Sequence, residues 1–187
     1  MLRLTHNILN LTDKTTQVEW DEGLEWYRLR NHEFPTPTAA GVVAALSPNN
    51  SWKMNQKQAR QALAERSTEN IGHTSLCKRR AQAIMDGSSP YTILGGNKTR
   101  NFFRNIYEPD RPGPVTVDRH AYAIALGIDP KEARSNPPNY KKLYNKGQYR
   151  AVQGAFNTAG RVMNITGAQI QAITWLTHRR ISGADVY

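Results

Sequence analysis

The spacing of the apolar residues constrains the fold of this chain more than any other feature of its sequence. Over most of the 187 residues, apolar side chains recur at the three- to four-residue period of an amphipathic α-helix. No run of about four to eight residues alternates β-branched or aromatic side chains with polar ones; the nearest approach, Val115-Thr116-Val117, is very short. The sequence therefore predicts an all-α protein.

Capping residues, prolines and glycines predict where the helices begin and end. Pro35 and Pro37 end the first helix, and the hydroxyl of Thr38 can cap the second. The first 16 residues are expected to form an irregular arm, and residues 129–139 a proline-rich crossing. The predicted helices cover about residues 18–33, 39–46, 52–65, 75–85, 90–94, 98–107, 119–126, 148–163 and 167–181.

The charge balance indicates a polyanionic partner. The chain has 25 Lys and Arg against 15 Asp and Glu, a formal net charge of +10. An excess of positive charge of this size most often indicates a protein that binds nucleic acid. The longest nearly unbroken apolar stretch, residues 39–46, has eight residues, whereas a membrane span needs about 20. We therefore expect a cytoplasmic protein that does not contact a membrane.

The cysteine and histidine contents argue against a disulfide or a metal site. Cys77 is the only cysteine, so the chain forms no internal disulfide and no cysteine-rich zinc or iron–sulfur site. The five histidines are scattered along the chain without the spacing of metal ligands. The sequence predicts no metal and no cofactor.

Motifs occur in a recognisable order in the middle of the chain. Residues 46–59, LSPNNSWKMNQKQA, run from a Leu-Ser helix end through a polar loop into the next helix, and residues 76–84, LCKRRAQAI, follow as a further helix. The hairpin Leu94-Gly95-Gly96-Asn97-Lys98-Thr99 comes next, and Val117-Asp118-Arg119-His120 comes after it. In this order the segments resemble the helix-hairpin-helix DNA glycosylase superfamily, which includes endonuclease III and the adenine glycosylases.

The resemblance spans roughly residues 39–127 and implies a two-lobed helical fold with a DNA-binding cleft. We expect one domain over residues 1–187, with a central lobe of residues 39–106 that carries the hairpin and a second lobe of residues 17–34 and 115–181. A monomer that binds double-stranded DNA is expected. The four-cysteine iron–sulfur motif of endonuclease III is absent, as in a phage-type member that acts on nucleoid DNA in the host cytoplasm.

The resemblance assigns catalysis to Asp118 and Lys98, which lie 20 residues apart. Breaking an N-glycosidic bond builds positive charge on the sugar, which a fixed carboxylate such as Asp118 can stabilise. A primary amine such as Lys98 can attack the same carbon and form a Schiff base. Taken alone, Lys98 is an ordinary lysine in the first turn of a helix and Asp118 an ordinary N-cap.

The hairpin is expected to hold the DNA backbone. Glycines allow close approach to a phosphate, and amides at a helix N-terminus form an anion site. Asn49 and Asn50 either only form a turn, for which asparagine is a favoured residue, or occupy the family position from which a polar side chain fills the space left by a flipped base. The predicted DNA-binding residues are Asn49, Asn50, Gly95, Gly96, Asn97, Thr99, Arg100 and Arg104.

Two alternatives to base excision remain open. The hairpin departs from the family's usual Leu-Pro-Gly-x-Gly pattern, because it lacks the proline. Some phage enzymes that modify thymine in DNA resemble glycosylases but transfer a group onto the base. A DNA-binding module that kept the hairpin and lost turnover is the non-enzymatic alternative.

Overall fold

Helices account for all the regular secondary structure of the described residues. The computed structural model describes residues 2–137 and 145–183, and within these ranges it contains eleven helices and no strand. The prediction of an all-α protein is confirmed. The basic pair Lys141-Lys142, one of the basic runs that could contact phosphates, lies outside the described residues. The helices are α1 Leu2–Thr12, α2 Gln17–Glu33, α3 Pro37–Ala45, α4 Trp52–Glu65, α5 Ser75–Met85, α6 Pro90–Ile93, α7 Asn97–Tyr107, α8 Arg119–Leu126, α9 Pro130–Ser135, α10 Lys146–Val162 and α11 Gly167–Ser182.

The described residues divide into two compact units. The terminal unit contains residues 2–28 and the described part of 110–186, and the middle unit contains Leu29–Pro109. Helix α2 carries the chain from the first of these segments into the middle unit. Among the described helices, none is both long and apolar enough to cross a membrane.

Helix α1 is part of the core of the terminal unit, so the prediction of an irregular N-terminal arm is wrong. Ile8 is fully buried, and Leu4, Leu9 and Leu11 pack against the same core. Helix α1 contacts α8, α10 and α11. Its apolar residues recur at helical spacing, and burying them against these three helices stabilises a segment that is too short to be helical by itself. Tyr122, Phe156 and Ile170 form the centre of this core.

Helix α3 lies at the centre of the middle unit. Every residue from 40 to 46 is buried, and α3 contacts α4, α5, α6 and α7. The predicted cap at Thr38 is wrong. The N-cap is Thr36, whose Oγ1 accepts a hydrogen bond from the Ala39 amide at 3.1 Å, and Pro37 occupies the first helical position. Proline suits that position because its missing N–H would have no partner there.

The segment predicted as a proline-rich crossing contains a helix instead. Asp129 caps α9 by accepting hydrogen bonds from the amides of Lys131 and Glu132, at 2.9 and 3.2 Å. Pro130 again occupies the first helical position. The proline that argued against a helix is therefore compatible with a helix start.

Candidate functional site

The two glycines of the hairpin in the middle unit have different structural roles. Gly96 has a φ of +75°, a backbone conformation that side-chain-bearing residues rarely adopt. A Cβ on Gly95 would lie 2.6 Å from Nη2 of Arg80. Gly95 therefore makes room for the Arg80 guanidinium beside the turn. In the sequence Arg80 belongs to the basic run Lys78-Arg79-Arg80, and only the fold brings it to the hairpin.

Lys98 lies in the first turn of α7, directly after the hairpin. Gly96 is the N-cap, and no side chain caps the first amides of the helix. The Lys98 side chain is partly buried and makes no hydrogen bond or ion pair with a described residue. Its amine is therefore not committed to a structural contact within the part of the chain that the structure describes.

The other predicted hairpin residues share the first turns of α7. Asn97 is exposed and Thr99 is partly buried. Arg100 donates a hydrogen bond from Nε to the Leu94 carbonyl at 2.7 Å, which ties α7 to the residue before the glycine pair. The Arg104 guanidinium lies over the ring of Tyr91, 5.8 Å from its centroid.

The structure distinguishes the two asparagines of the loop after α3. The Asn50 side chain donates hydrogen bonds to the Leu46 carbonyl at 3.2 Å and to Oε1 of Gln58 at 2.7 Å. Asn49 is exposed at the turn and has a φ of +58°. Asn50 therefore holds the loop to α4, whereas the Asn49 side chain is accessible to a ligand.

Asp118 is the N-cap of α8 in the terminal unit. Its Oδ1 accepts a hydrogen bond from the Ala121 amide at 2.8 Å. The other carboxylate oxygen has no hydrogen-bond partner among the described residues. The predicted catalytic pair thus belongs to two units, with Lys98 in the middle unit and Asp118 in the terminal unit.

Tyr149 of α10 fixes the backbone that leads to Asp118. The Tyr149 hydroxyl donates to the Val115 carbonyl at 2.9 Å and accepts from the Val117 amide at 3.2 Å. Val115 and Val117 are fully buried. The sequence does not single out Tyr149 for this role, because its hydroxyl contacts a segment more than 30 residues away. Such a contact leaves no local signal.

His120 and His178 meet beside Asp118, although 58 residues separate them in the chain. Their Nδ1 atoms are 3.3 Å apart, and the rings are edge to face with centroids 5.2 Å apart. Arg119 donates from Nε to Nε2 of His120 at 3.3 Å. Among the described residues, no group of three or more His, Cys, Asp or Glu side chains could hold a metal ion.

The contact with Arg119 determines which nitrogens of the pair carry protons. Arginine only donates, so Nε2 of His120 accepts and its Nδ1 carries the proton. That proton is donated to Nδ1 of His178, which leaves the proton of a neutral His178 on Nε2. Burial lowers the pKa of His178 to about 4, and His120 lowers it as well, while Asp118 and Asp129 oppose the shift. His178 is therefore neutral near pH 7.

We expect the buried His178 to make the protein less stable in mild acid. The pKa of His178 lies near 6.5 in the unfolded chain and at about 4 in the folded one. At pH values above the unfolded pKa, protonation of His178 takes nothing from the free energy of unfolding. As the pH falls towards the folded pKa, the free energy of unfolding decreases, because only the unfolded chain binds the proton in that window. Urea unfolding should show that protonation of His178 lowers the free energy of unfolding by about 2 kcal/mol between about pH 7.5 and pH 5.

The variant His178→Gln has no ring to protonate. Over the same pH interval its free energy of unfolding should therefore fall by about 2 kcal/mol less than that of the wild type. The matched control is His6→Gln, which removes an exposed histidine from α1 and should keep the wild-type dependence on pH. If His178→Gln and the wild type lose equal free energy, the buried ring is not the source.

The comparisons with known proteins give the chain a family without a described activity. No functionally curated protein and no solved structure matches the chain. The model of a family of unknown function, DUF7178, matches residues 1–182. Because this match covers nearly the whole chain, the chain belongs to the DUF7178 family.

Proposed function

We propose that the protein is a DNA glycosylase with AP lyase activity that excises a modified or mismatched base from double-stranded DNA. The observation that carries the proposal is the Lys98 amine, which follows the glycine hairpin and makes no ion pair with a described residue. An amine without an ion pair is available to react with a bound ligand. The protein acts as a cytoplasmic monomer without a metal or cofactor.

The charge of the middle unit supports DNA as the partner. Its residues include 11 Lys and Arg against 5 Asp and Glu, a net charge of +6. Six of the basic residues fall between positions 78 and 104, around the hairpin: Lys78, Arg79, Arg80, Lys98, Arg100 and Arg104. Cationic side chains bind the phosphate backbone without reading the sequence, so binding will weaken steeply as salt rises.

The proposed reaction begins with a base flipped out of the duplex. The bond from C1′ to the base breaks, its electron pair leaves with the base, and the base takes up a proton from water. The oxygen of Asp118 that does not cap α8 stabilises the positive charge that develops on the sugar. The proposal therefore requires Lys98 and Asp118 to reach one deoxyribose when DNA is bound.

The lyase step follows at the same carbon. The lone pair of the Lys98 Nζ forms a bond to C1′, and the amine gives its protons to water. Opening of the sugar ring, with a proton added to its oxygen, leaves a Schiff base between Nζ and C1′. Loss of a proton from C2′ then expels the 3′ phosphate, and water hydrolyses the Schiff base to restore Lys98.

A panel of duplexes tests the proposal. Duplexes that carry damaged, mismatched or phage-type bases are incubated with the protein, and the bases and strands are analysed by mass. Release of a free base supports base excision. A base that stays in the strand with an added group contradicts the proposal in favour of a thymine-modifying enzyme. Salt-sensitive binding with no altered product contradicts it in favour of a non-catalytic module.

The hairpin itself provides a test of DNA contact. We expect Gly95→Ala to weaken binding to an undamaged duplex by about twofold to threefold at low salt, because the added Cβ displaces the Arg80 guanidinium from the turn. The control is Gly72→Ala in the same unit, where a Cβ meets nothing within 4 Å. Fluorescence anisotropy with a labelled duplex measures both. Equal affinities for the two variants would show that the position of the Arg80 guanidinium beside the turn does not contribute to duplex binding.

A further inference from the structure

Gly95 lacks a side chain for a reason other than backbone conformation. Unlike Gly96, it does not have a positive φ. At such a position alanine would ordinarily stabilise the fold, because it leaves the unfolded chain fewer conformations. The space beside Gly95 is occupied by the Arg80 guanidinium, whose Nη2, Cζ and Nη1 would lie 2.6, 3.2 and 3.4 Å from an added Cβ. The glycine therefore allows the Arg80 guanidinium to lie directly against the turn.

Arg100 brings a second guanidinium to the same peptide. Its Nε donates a hydrogen bond to the Leu94 carbonyl at 2.7 Å. The Leu94 oxygen and the Gly95 Cα belong to one planar trans peptide, in which these two atoms are about 2.8 Å apart. Nε of Arg100 and Nη2 of Arg80 therefore lie within about 10 Å of each other. At that separation one phosphate between the two guanidinium groups can accept hydrogen bonds from both.

Most donors of these two side chains are available to a ligand. Arg80 is partly exposed and Arg100 is exposed. Apart from the bond to Leu94, neither guanidinium makes a hydrogen bond or an ion pair with a residue that the structure describes. A guanidinium is always charged, and its planar set of donors matches the oxygens of a phosphate. The pair therefore suits a phosphate better than an uncharged ligand.

We propose that Arg80 and Arg100 together bind one phosphate of the DNA backbone beside the hairpin. Side chains from two helices, α5 and α7, then make the contact that the sequence assigns to the glycines and amides of the hairpin. This mode of binding does not require the family's Leu-Pro-Gly-x-Gly turn, from which this hairpin departs. The proposal rests on DNA as the partner of the protein, and it assigns a binding contact and no step of the reaction.

Duplexes with one neutral phosphate test the proposal. Each labelled duplex carries a tetrahydrofuran abasic analogue, which forms no Schiff base, and a single methylphosphonate, an uncharged replacement for a phosphodiester, at a different position around it. Fluorescence anisotropy measures the affinity for each duplex. Neutralising the phosphate that the two arginines share should weaken wild-type binding by about three- to fivefold. The double variant Arg80→Gln/Arg100→Gln should be insensitive at that position and should respond as the wild type does at the others.

Single variants and a control complete the experiment. Arg80→Gln and Arg100→Gln should each reduce the effect of the methylphosphonate at the same position, and the control Lys53→Gln, on exposed surface of the same unit, should keep the wild-type pattern. Loss of sensitivity at different phosphates in the two single variants, or a wild-type pattern in the double variant, overturns the shared site and leaves DNA as the partner. A wild-type protein that binds no duplex overturns this site and the proposed function together.

Discussion

Lys98→Gln is expected to abolish the covalent adduct that borohydride traps between the protein and a duplex with an abasic site. Only a primary amine can form the Schiff base that borohydride reduces, and glutamine has none. An abasic duplex already lacks the base, so this test does not require knowledge of which base the protein recognises. Duplex binding should weaken by no more than about threefold, because one cation among many is lost.

The matched control is Lys53→Gln in α4, which removes the same charge from an exposed position in the middle unit. It should leave the adduct yield at the wild-type level while reducing duplex binding to the same small extent. Denaturing gel electrophoresis after borohydride treatment measures the yield. A full yield from Lys98→Gln would exclude this lysine as the nucleophile.

Helix positions were largely predictable because the signals are local. The Thr166–Gln169 capping box is present in both directions, and Asp118 caps α8 as its sequence position predicts. The prediction failed where tertiary contacts decide. Helix α1 is stabilised by burying Ile8 and its neighbours against helices more than 100 residues later in the chain. Because polar residues interrupt the apolar pattern of this segment, the local sequence does not indicate a helix that depends on such contacts.

The candidate site shows the same division between local and distant information. The Gly95-Gly96 turn and the amine that follows it can be located from the pattern, because Gly96 adopts a backbone conformation that favours glycine. The guanidinium of Arg80 beside Gly95 and the hydroxyl of Tyr149 before Asp118 depend on helix packing. No spacing rule joins such residues, so the supporting contacts of a site are the part that sequence reasoning misses.

Asp118→Asn is expected to slow base release by about 100- to 1000-fold while leaving the fold unchanged. Asparagine is as good an N-cap as aspartate, so its Oδ1 can still accept from the Ala121 amide. The free energy of unfolding should therefore stay within about 0.5 kcal/mol of the wild type, whereas Asp118→Ala should lose about 1 kcal/mol. Only the negative charge that stabilises the sugar cation is removed. Single-turnover base release and urea unfolding measure the two effects separately.

Asp21→Asn is the charge-matched control, because Asp21 is exposed on α2 and contacts Gln17 on its own helix. It should release base at the wild-type rate. If Asp118→Asn also does so, the carboxylate is a structural cap and has no catalytic role. If Asp118→Asn lowers base release and stability together, the loss reflects the fold, and the electrostatic argument fails. Slow release from a fully stable Asp118→Asn protein is the result that assigns the chemistry to the charge.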